Sequence, residues 1–404
     1  MTAKPKHDPH RNPAPLTADS SEVPREQAET RFPILTEMDF FNHAGVAPLS
    51  GPAGEAMAEW ARDAARRAYT GGGWYKRCEH LKTLCARMIH ARGPHEIALV
   101  PNTSTGLALV ARGLPWKRGD HIVTTGVEYP ANRYPWQDLE RLGVTRTEIA
   151  QRPDGRIDAN EVCDAVTDDT KLVAISHVQY ASGHRIALRD IADTVHRVRG
   201  YLCVDAIQSV GVMPVDVQRD GVDFLSADGH KWMLGPEGCG LFYCHEDLCE
   251  LLHPAVVGWL NMVDAHNYAE YRFEFHKDAR RFEPGSWNVP GAFGLAASLD
   301  LLLGVGMEHV WQRLDALTTH LCEGLQSKGC RVFTPRDHPE ERSGIVVFDP
   351  PDAERGGKPP AWIAGQLKKR NIEIAVRGGR LRASPHFYNT FEQIDRLIDA
   401  LPGS

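Results

Sequence analysis

A lysine held away from water gives up its proton readily and can form a Schiff base with a carbonyl. The stretch from Ser226 to Gly240, SADGHKWMLGPEGCG, offers such a lysine. Lys231 follows a predicted strand, lies between His230 and Trp232, and has glycines on both sides that permit close backbone approach. Asp205, in VDAIQ, ends a short apolar run. That is where open α/β sheets bind ligands, although alone it would read as a helix cap. The segment PNTSTG, residues 101–106, lies between a predicted strand and a predicted helix. Its hydroxyls and free backbone N–H groups form an anion cradle, or simply an ordinary capped helix.

Together the three features describe one ligand. It carries a phosphate for the 102–104 turn, a basic ring nitrogen for Asp205 and an aldehyde for Lys231. Pyridoxal phosphate has all three groups, and its protein marks are a Schiff-base lysine and an acidic partner for the ring nitrogen.

The elements that must position these residues alternate. Short β-like runs fall at 97–100, 122–125, 172–176, 202–204, 224–226 and 240–243. Helical stretches fall at 54–69, 105–112, 135–142 and 188–199, with two more near 292–305 and 310–328. Continuously apolar strands alternating with helices imply a mostly parallel α/β sheet. Residues 344–348, 362–370, 372–376 and 391–401 read as a smaller α+β unit. We expect a disordered tail over 1–29 and an N-terminal segment over 30–55 that packs on the small domain or a dimer interface. A large cofactor-binding domain should span 56–300, and a small C-terminal domain 301–404.

Composition excludes several classes. The 404 residues are 42% apolar and 25% charged, so a substantial core is possible and global disorder is not expected. A net charge of −7 gives no support for nucleic acid or an anionic membrane as partner. The nine cysteines include no C-x-x-C pair, and their spacings suit neither a metal site nor a disulfide framework. No run reaches the roughly 18 apolar residues of a membrane span, and the N-terminus does not read as a secretory signal. The chain reads as soluble and cytoplasmic, in a reducing compartment. No P-loop occurs, and no glycine fingerprint lies in a dinucleotide-binding context.

The sequence resembles the class V aminotransferase family of fold-type I pyridoxal-phosphate enzymes. That family includes cysteine desulfurases, selenocysteine lyases and isopenicillin N epimerase. FNHAGVAP, PNTSTGLALVA, GVEYPANRYPW, SHVQYASG, VDAIQSVG, DGHKWMLGPEG, RFEPGSWN and LRASPHFYNT occur in the family's order between about residues 40 and 401. The resemblance implies the aspartate-aminotransferase-like fold, with a large domain built on a mostly parallel mixed sheet and a smaller α+β C-terminal domain. It implies pyridoxal phosphate on Lys231 and Asp205 on its ring nitrogen. His230, Thr103 and Ser104 match phosphate contacts, and Gln208 matches a contact to the phenolic oxygen. Tyr129 matches the position whose ring stacks on the cofactor, where desulfurases commonly have His. A tyrosine there is a poorer general acid near neutral pH. Gly285 and Ser286 resemble a segment reaching the neighbouring subunit's phosphate, which implies a homodimer with shared sites. Arg382 matches the arginine that pairs with the carboxylate of an amino acid substrate. Asn42 and His43 resemble the stretch lining the substrate side.

Departures from the family pattern shape the functional expectation. Desulfurases carry a nucleophilic Cys shortly before the carboxylate-binding Arg, and here no Cys follows Cys330. Asp228 stands where desulfurases often have Ser, and Tyr180 where they often have Asn. Arg377 and Arg380 are open to two readings, a second substrate carboxylate or a solvated turn. The expectation is therefore an aminotransferase or a β-eliminating C–S lyase, and not a persulfide-forming desulfurase. The alternatives are an epimerase of the isopenicillin N epimerase type, or a cofactor-binding protein without turnover.

Overall fold

Seven short strands supply the frame on which the site is built. In spatial order they are Ile97–Val100, Gly240–Cys244, Phe224–Asp228, Tyr201–Asp205, Thr170–Ser176, His121–Thr125 and Thr145–Ile149. All run parallel except Gly240–Cys244, which is antiparallel to both neighbours. The computed structural model describes residues 25–351 and 357–402. His121–Thr125, Phe224–Asp228 and Gly240–Cys244 are buried along their whole length, as apolar strands covered on both faces must be. Register pairs Ser176 with Asp205 and Asp205 with Ser226. The carboxyl ends of three central strands therefore line up, and Lys231 follows three residues after one of them.

Helix Val289–Val305 packs against Gly51–Arg67 and Trp74–Met88. It turns by 79° at Gly306 into Met307–Ser327. Among the described residues no single helix is long and apolar enough to cross a membrane. A second, antiparallel sheet orders Ala375–Arg377, Arg380–Ala383, Val346–Asp349 and Arg331–Val332. Phe41, Leu317, Leu321, Val346, Phe348 and Leu397 belong to its core. The pair Asp39–Phe40 runs parallel to Ile372–Glu373, which ties the N-terminal segment to this second unit.

Some elements differ from the expected ones. Residues 372–376 form two strands with different partners, Ile372–Glu373 and Ala375–Arg377. The helix expected over 135–142 is Tyr134–Asp138 followed by a 3₁₀ turn. Strand Thr145–Ile149 lies at a sheet edge with Arg146 and Glu148 along it. Charge on an edge strand blocks further pairing and also hides the apolar pattern. Helix Trp74–Met88 buries Lys82 together with Cys78, Leu81 and Cys85, so its apolar stripe is interrupted. Residues 1–24 of the expected tail lie outside the described residues. Residues 25–29 belong to helix Arg25–Arg31, after which Phe32 stacks on Tyr388 with ring centroids 4.0 Å apart.

Candidate active site

Asp205 and Lys231 face each other electrostatically at the carboxyl edge of the large sheet. Asp205 is 2% exposed, and its Oδ1 accepts the Ile207 N–H at 3.1 Å. Burial, reinforced by Glu128, pushes its proton affinity up, against the Ile207 bond and Lys231. Lys231 is 9% exposed and makes no ion pair among the described residues. Burial pushes its proton affinity down, Asp205 opposes this, and the charge of Arg382 adds to it. A buried acid that resists ionising and a buried amine that sheds its proton suit proton transfer near neutral pH.

Tyr129 lies beside this pair. Its ring centroid is 5.6 Å from Lys231 Nζ, and it meets Tyr180 edge-on at 5.2 Å. The residue is 48% exposed, which leaves ring surface free to stack a planar ligand. Glu128 holds the turn that carries it. That buried carboxylate accepts from Thr125 Oγ1 (2.8 Å), Asn132 Nδ2 (2.9 Å), Ser176 N (3.1 Å) and Gln179 Nε2 (3.0 Å), and also from Ser176 Oγ. Sequence reasoning did not single out Glu128. The four-residue spacing to Asn132 was its one visible signal.

The anion cradle is built by helix Thr103–Gly113. Asn102 caps it, accepting the Thr105 N–H at 2.9 Å. Thr103 Oγ1 accepts the Asp228 N–H at 3.0 Å, and Ser226 Oγ donates to the Thr103 carbonyl at 3.2 Å. Ser104 is exposed in the first turn. Gly106 makes the close contact possible, since a Cβ there would lie 2.2 Å from Ser226 Oγ. His230 Nδ1 lies 2.9 Å from Asp228 Oδ2 and makes no hydrogen bond. The Asp228 Oδ1 atom accepts the Gly229 N–H at 2.7 Å.

Arg382 closes the other side. It is 1% exposed, with Nη1 donating to the Tyr180 carbonyl at 2.9 Å and Nη2 to Asn42 Oδ1 at 3.4 Å. Its Nε has no partner, and no carboxylate pairs with it among the described residues. Burial, reinforced by Arg377, lowers its proton affinity to about 9. A buried guanidinium without an anion is costly, and a bidentate carboxylate removes that cost.

Some expected residues are held by partners of their own within the fold. Gln208 is anchored at both ends of its amide. Its Nε2 donates to the Ala44 carbonyl at 3.1 Å, and its Oε1 accepts Trp232 Nε1 at 2.8 Å. One N–H of the amide stays free. The expectation that His43 lines the substrate side requires correction. His43 is fully buried, and its Nδ1 donates to the Ser384 carbonyl at 2.8 Å while its Nε2 accepts the Tyr388 hydroxyl at 2.5 Å. With both nitrogens engaged, the ring ties the N-terminal segment to the second unit. No hydrogen bond or ion pair among the described residues joins Gly285 or Ser286 to Lys231, His230 or Thr103. Gly285 lies beside Trp259.

Comparison with known proteins adds the family context. The model of the family described as aminotransferase class-V matches residues 54–397. A probable cysteine desulfurase of Methanothermobacter thermautotrophicus is 29% identical over 93% of this chain and 97% of its own length. The apo structure of a cysteine desulfurase from Thermococcus onnurineus NA1 superposes with a TM-score of 0.83 at 27% identity, covering 94% of this chain and 98% of that one. The cystine C–S lyase C-DES, in complex with its reaction product cysteine persulfide, gives 0.82 at 26% identity, covering 91% and 98%. A mutant of C-DES holds glycine covalently linked to its PLP cofactor.

Pyridoxal phosphate is the cofactor of this family, and the residues present fit it. The unpaired Lys231 amine, the buried Asp205 acid and the helix N-terminus at Thr103, with Ser104 exposed in its first turn, match its aldehyde, ring nitrogen and phosphate. The comparisons overturn the functional expectation where it excluded a persulfide-forming desulfurase. An aminotransferase or β-eliminating lyase was expected and persulfide formation excluded, because no Cys follows Cys330 to stand shortly before Arg382. Yet several relatives and a solved neighbour are named cysteine desulfurases, and another neighbour, named a cystine C–S lyase, has cysteine persulfide as its reaction product. The physical reason is that persulfide sulfur need not rest on a protein thiol. A disulfide substrate brings both sulfur atoms with it.

Proposed function

We propose, from the premise that this chain belongs to the class-V aminotransferase family, that it is a desulfurase. It takes sulfur from cystine, the disulfide of cysteine, and yields a persulfide that is not built on its own cysteines. One observation carries this reading. The buried, carboxylate-free Arg382 and the unpaired Lys231 flank one site in a chain whose relatives are named desulfurases. The cysteines offer no alternative. Eight of the nine are buried, and burial raises the thiols of Cys322 and Cys330 to about 11.

The chain's own residues perform the remaining tasks. Thr103, Ser104, His230 and the helix N-terminus would hold the phosphate, Asp205 a proton at the ring nitrogen, and the free Gln208 N–H the phenolic oxygen. Bound pyridoxal phosphate supplies an electron sink for the pair left when a bond to Cα breaks. Tyr129 would stack on the ring. Arg382 grips the α-carboxylate and so fixes which Cα bond faces Lys231. Lys231 takes the Cα proton. For a disulfide amino acid the balance closes within the substrate. The Cβ–S bond breaks, and its electron pair leaves with the sulfur as a persulfide anion. The unsaturated amino acid left behind is hydrolysed to a keto acid and ammonia.

The reading includes a homodimer in which Gly285 and Ser286 serve the partner's phosphate site. Exposed Tyr268, Tyr271 and Phe273 on the segment leading to them support it. It also includes a reducing, cytoplasmic setting, supported by nine cysteines without a disulfide.

The test is cyanolysis of the products made by the holoenzyme from L-cystine and L-cysteine. Sulfane sulfur should appear with the wild type on L-cystine, and only sulfide on L-cysteine. The sulfane sulfur should vanish in Lys231→Ala, together with the visible absorption of the lysine-bound cofactor. Turnover of other amino acids with no sulfane sulfur from either of these would overturn the reading.

A further inference from the structure

We propose that Arg377 reads a second carboxylate on the substrate, so that the preferred sulfur donor is a disulfide amino acid with an anionic group at each end, cystine being the simplest. The inference rests on the desulfurase reading and deepens it by naming the substrate class.

The hairpin that carries Arg382 carries two further arginines. Register pairs Ala375 with Arg382, Val376 with Leu381 and Arg377 with Arg380. Directly opposed residues share a face, and alternate residues along a strand return to it. Arg377, Arg380 and Arg382 therefore stand on one face of the sheet. Arg377 and Arg382 are diagonal neighbours, a relation that spans roughly 7–8 Å in antiparallel pairs. Gly378 at φ 55° and Gly379 at φ 77° form the two-residue turn that fixes this register.

The three guanidiniums differ in what neutralises them. Arg380 is engaged within the fold, 3.2 Å from Asp349 and 3.9 Å over the Phe333 ring. Arg382 is buried at the substrate end of the site. Arg377 is exposed, donates only to its own neighbour's Val376 carbonyl at 2.8 Å, and has no ion pair among the described residues. Its charge is felt at both Arg382 and Lys231. Two guanidiniums on one face with no anion between them repel each other, and a ligand with two carboxylates answers both. In cystine the second carboxylate lies one disulfide-linked chain beyond the first, within reach of that diagonal and a flexible arginine. Cysteine has no group to offer Arg377.

The experiment compares wild type, Arg377→Gln and Arg377→Lys holoenzymes on L-cystine and on the mixed disulfide of cysteine with mercaptoethanol. The mixed disulfide has the same Cβ–S–S linkage and lacks the second carboxylate. Arg377→Gln should raise KM for cystine about tenfold with kcat little changed, leave the mixed disulfide unaffected, and be partly rescued in Arg377→Lys. Binding is read in parallel from the change in cofactor absorbance. Equal effects on the two disulfides would overturn the assignment. So would wild-type protein that binds cystine no tighter than the mixed disulfide, whether or not sulfur is released. Tighter cystine binding that depends on Arg377 but releases no sulfur would sink the desulfurase reading and leave Arg377's role standing.

Discussion

Asp205 shows how one carboxyl can serve both cofactor and stability. In the cofactor-free protein its proton affinity is raised, chiefly by burial. An acid raised in this way stabilises the fold fully below its unfolded value of about 3.9, and that contribution is lost as pH climbs through the folded value. The shift of Lys231 acts at more alkaline pH and does not enter this window. Asparagine mimics the protonated acid and has no such loss. Cofactor-free Asp205→Asn should therefore keep its Tm between pH 4 and 8 better than the wild type, while its holoenzyme loses activity. Parallel Tm-against-pH curves for the two proteins would refute this account.

At the scale of elements, a buried ion pair ties helix Trp74–Met88 to the loop that carries Gly285 and Ser286. Lys82 Nζ lies 3.2 Å from Glu283 Oε2, both side chains are 1% exposed, and Glu283 Oε1 also accepts the Leu99 N–H at 2.9 Å. One contact thus joins a helix, an edge strand and the loop before Gly285. Lys82→Met leaves the Glu283 charge buried without its partner, a change that costs about 3–5 kcal/mol. Urea unfolding should register a loss of that order, and Lys82→Met/Glu283→Gln should recover part of it. A single variant as stable as the wild type would mean that Glu283 is protonated or reached by water.

For the whole molecule the open question is what covers its exposed aromatics. Tyr271 is 90% exposed, Phe273 78% and Tyr268 68%, all on the stretch that precedes Gly285. Apolar side chains concentrated on one surface mark an interaction site. In the proposed dimer this stretch meets the partner. Tyr271→Asp/Phe273→Asp should then halve the mass measured by light scattering and weaken cofactor retention, since each phosphate site would lose its neighbour's loop. A wild-type protein that stays monomeric at micromolar concentration would contradict the proposal.

Much of the site was legible in the sequence because its parts are local. A lysine in a glycine-rich turn, an aspartate ending an apolar run and hydroxyls opening a helix each leave a short signature. Alternating apolar runs and helices already implied the parallel sheet, since strands buried on both faces have little choice of residue. Tertiary structure decided what depends on partners distant along the chain. Ser176 and Gln179, about 50 residues on, add three donors to the local Thr125 and Asn132 at Glu128, and Ser384 and Tyr388, more than 340 residues away, take up both nitrogens of His43. Arg380 is neutralised by Asp349, while Arg377 stays unpaired. The side chains alone look alike in such cases. Their roles differ because burial and long-range pairing determine which polar atoms are already satisfied and which remain for a ligand.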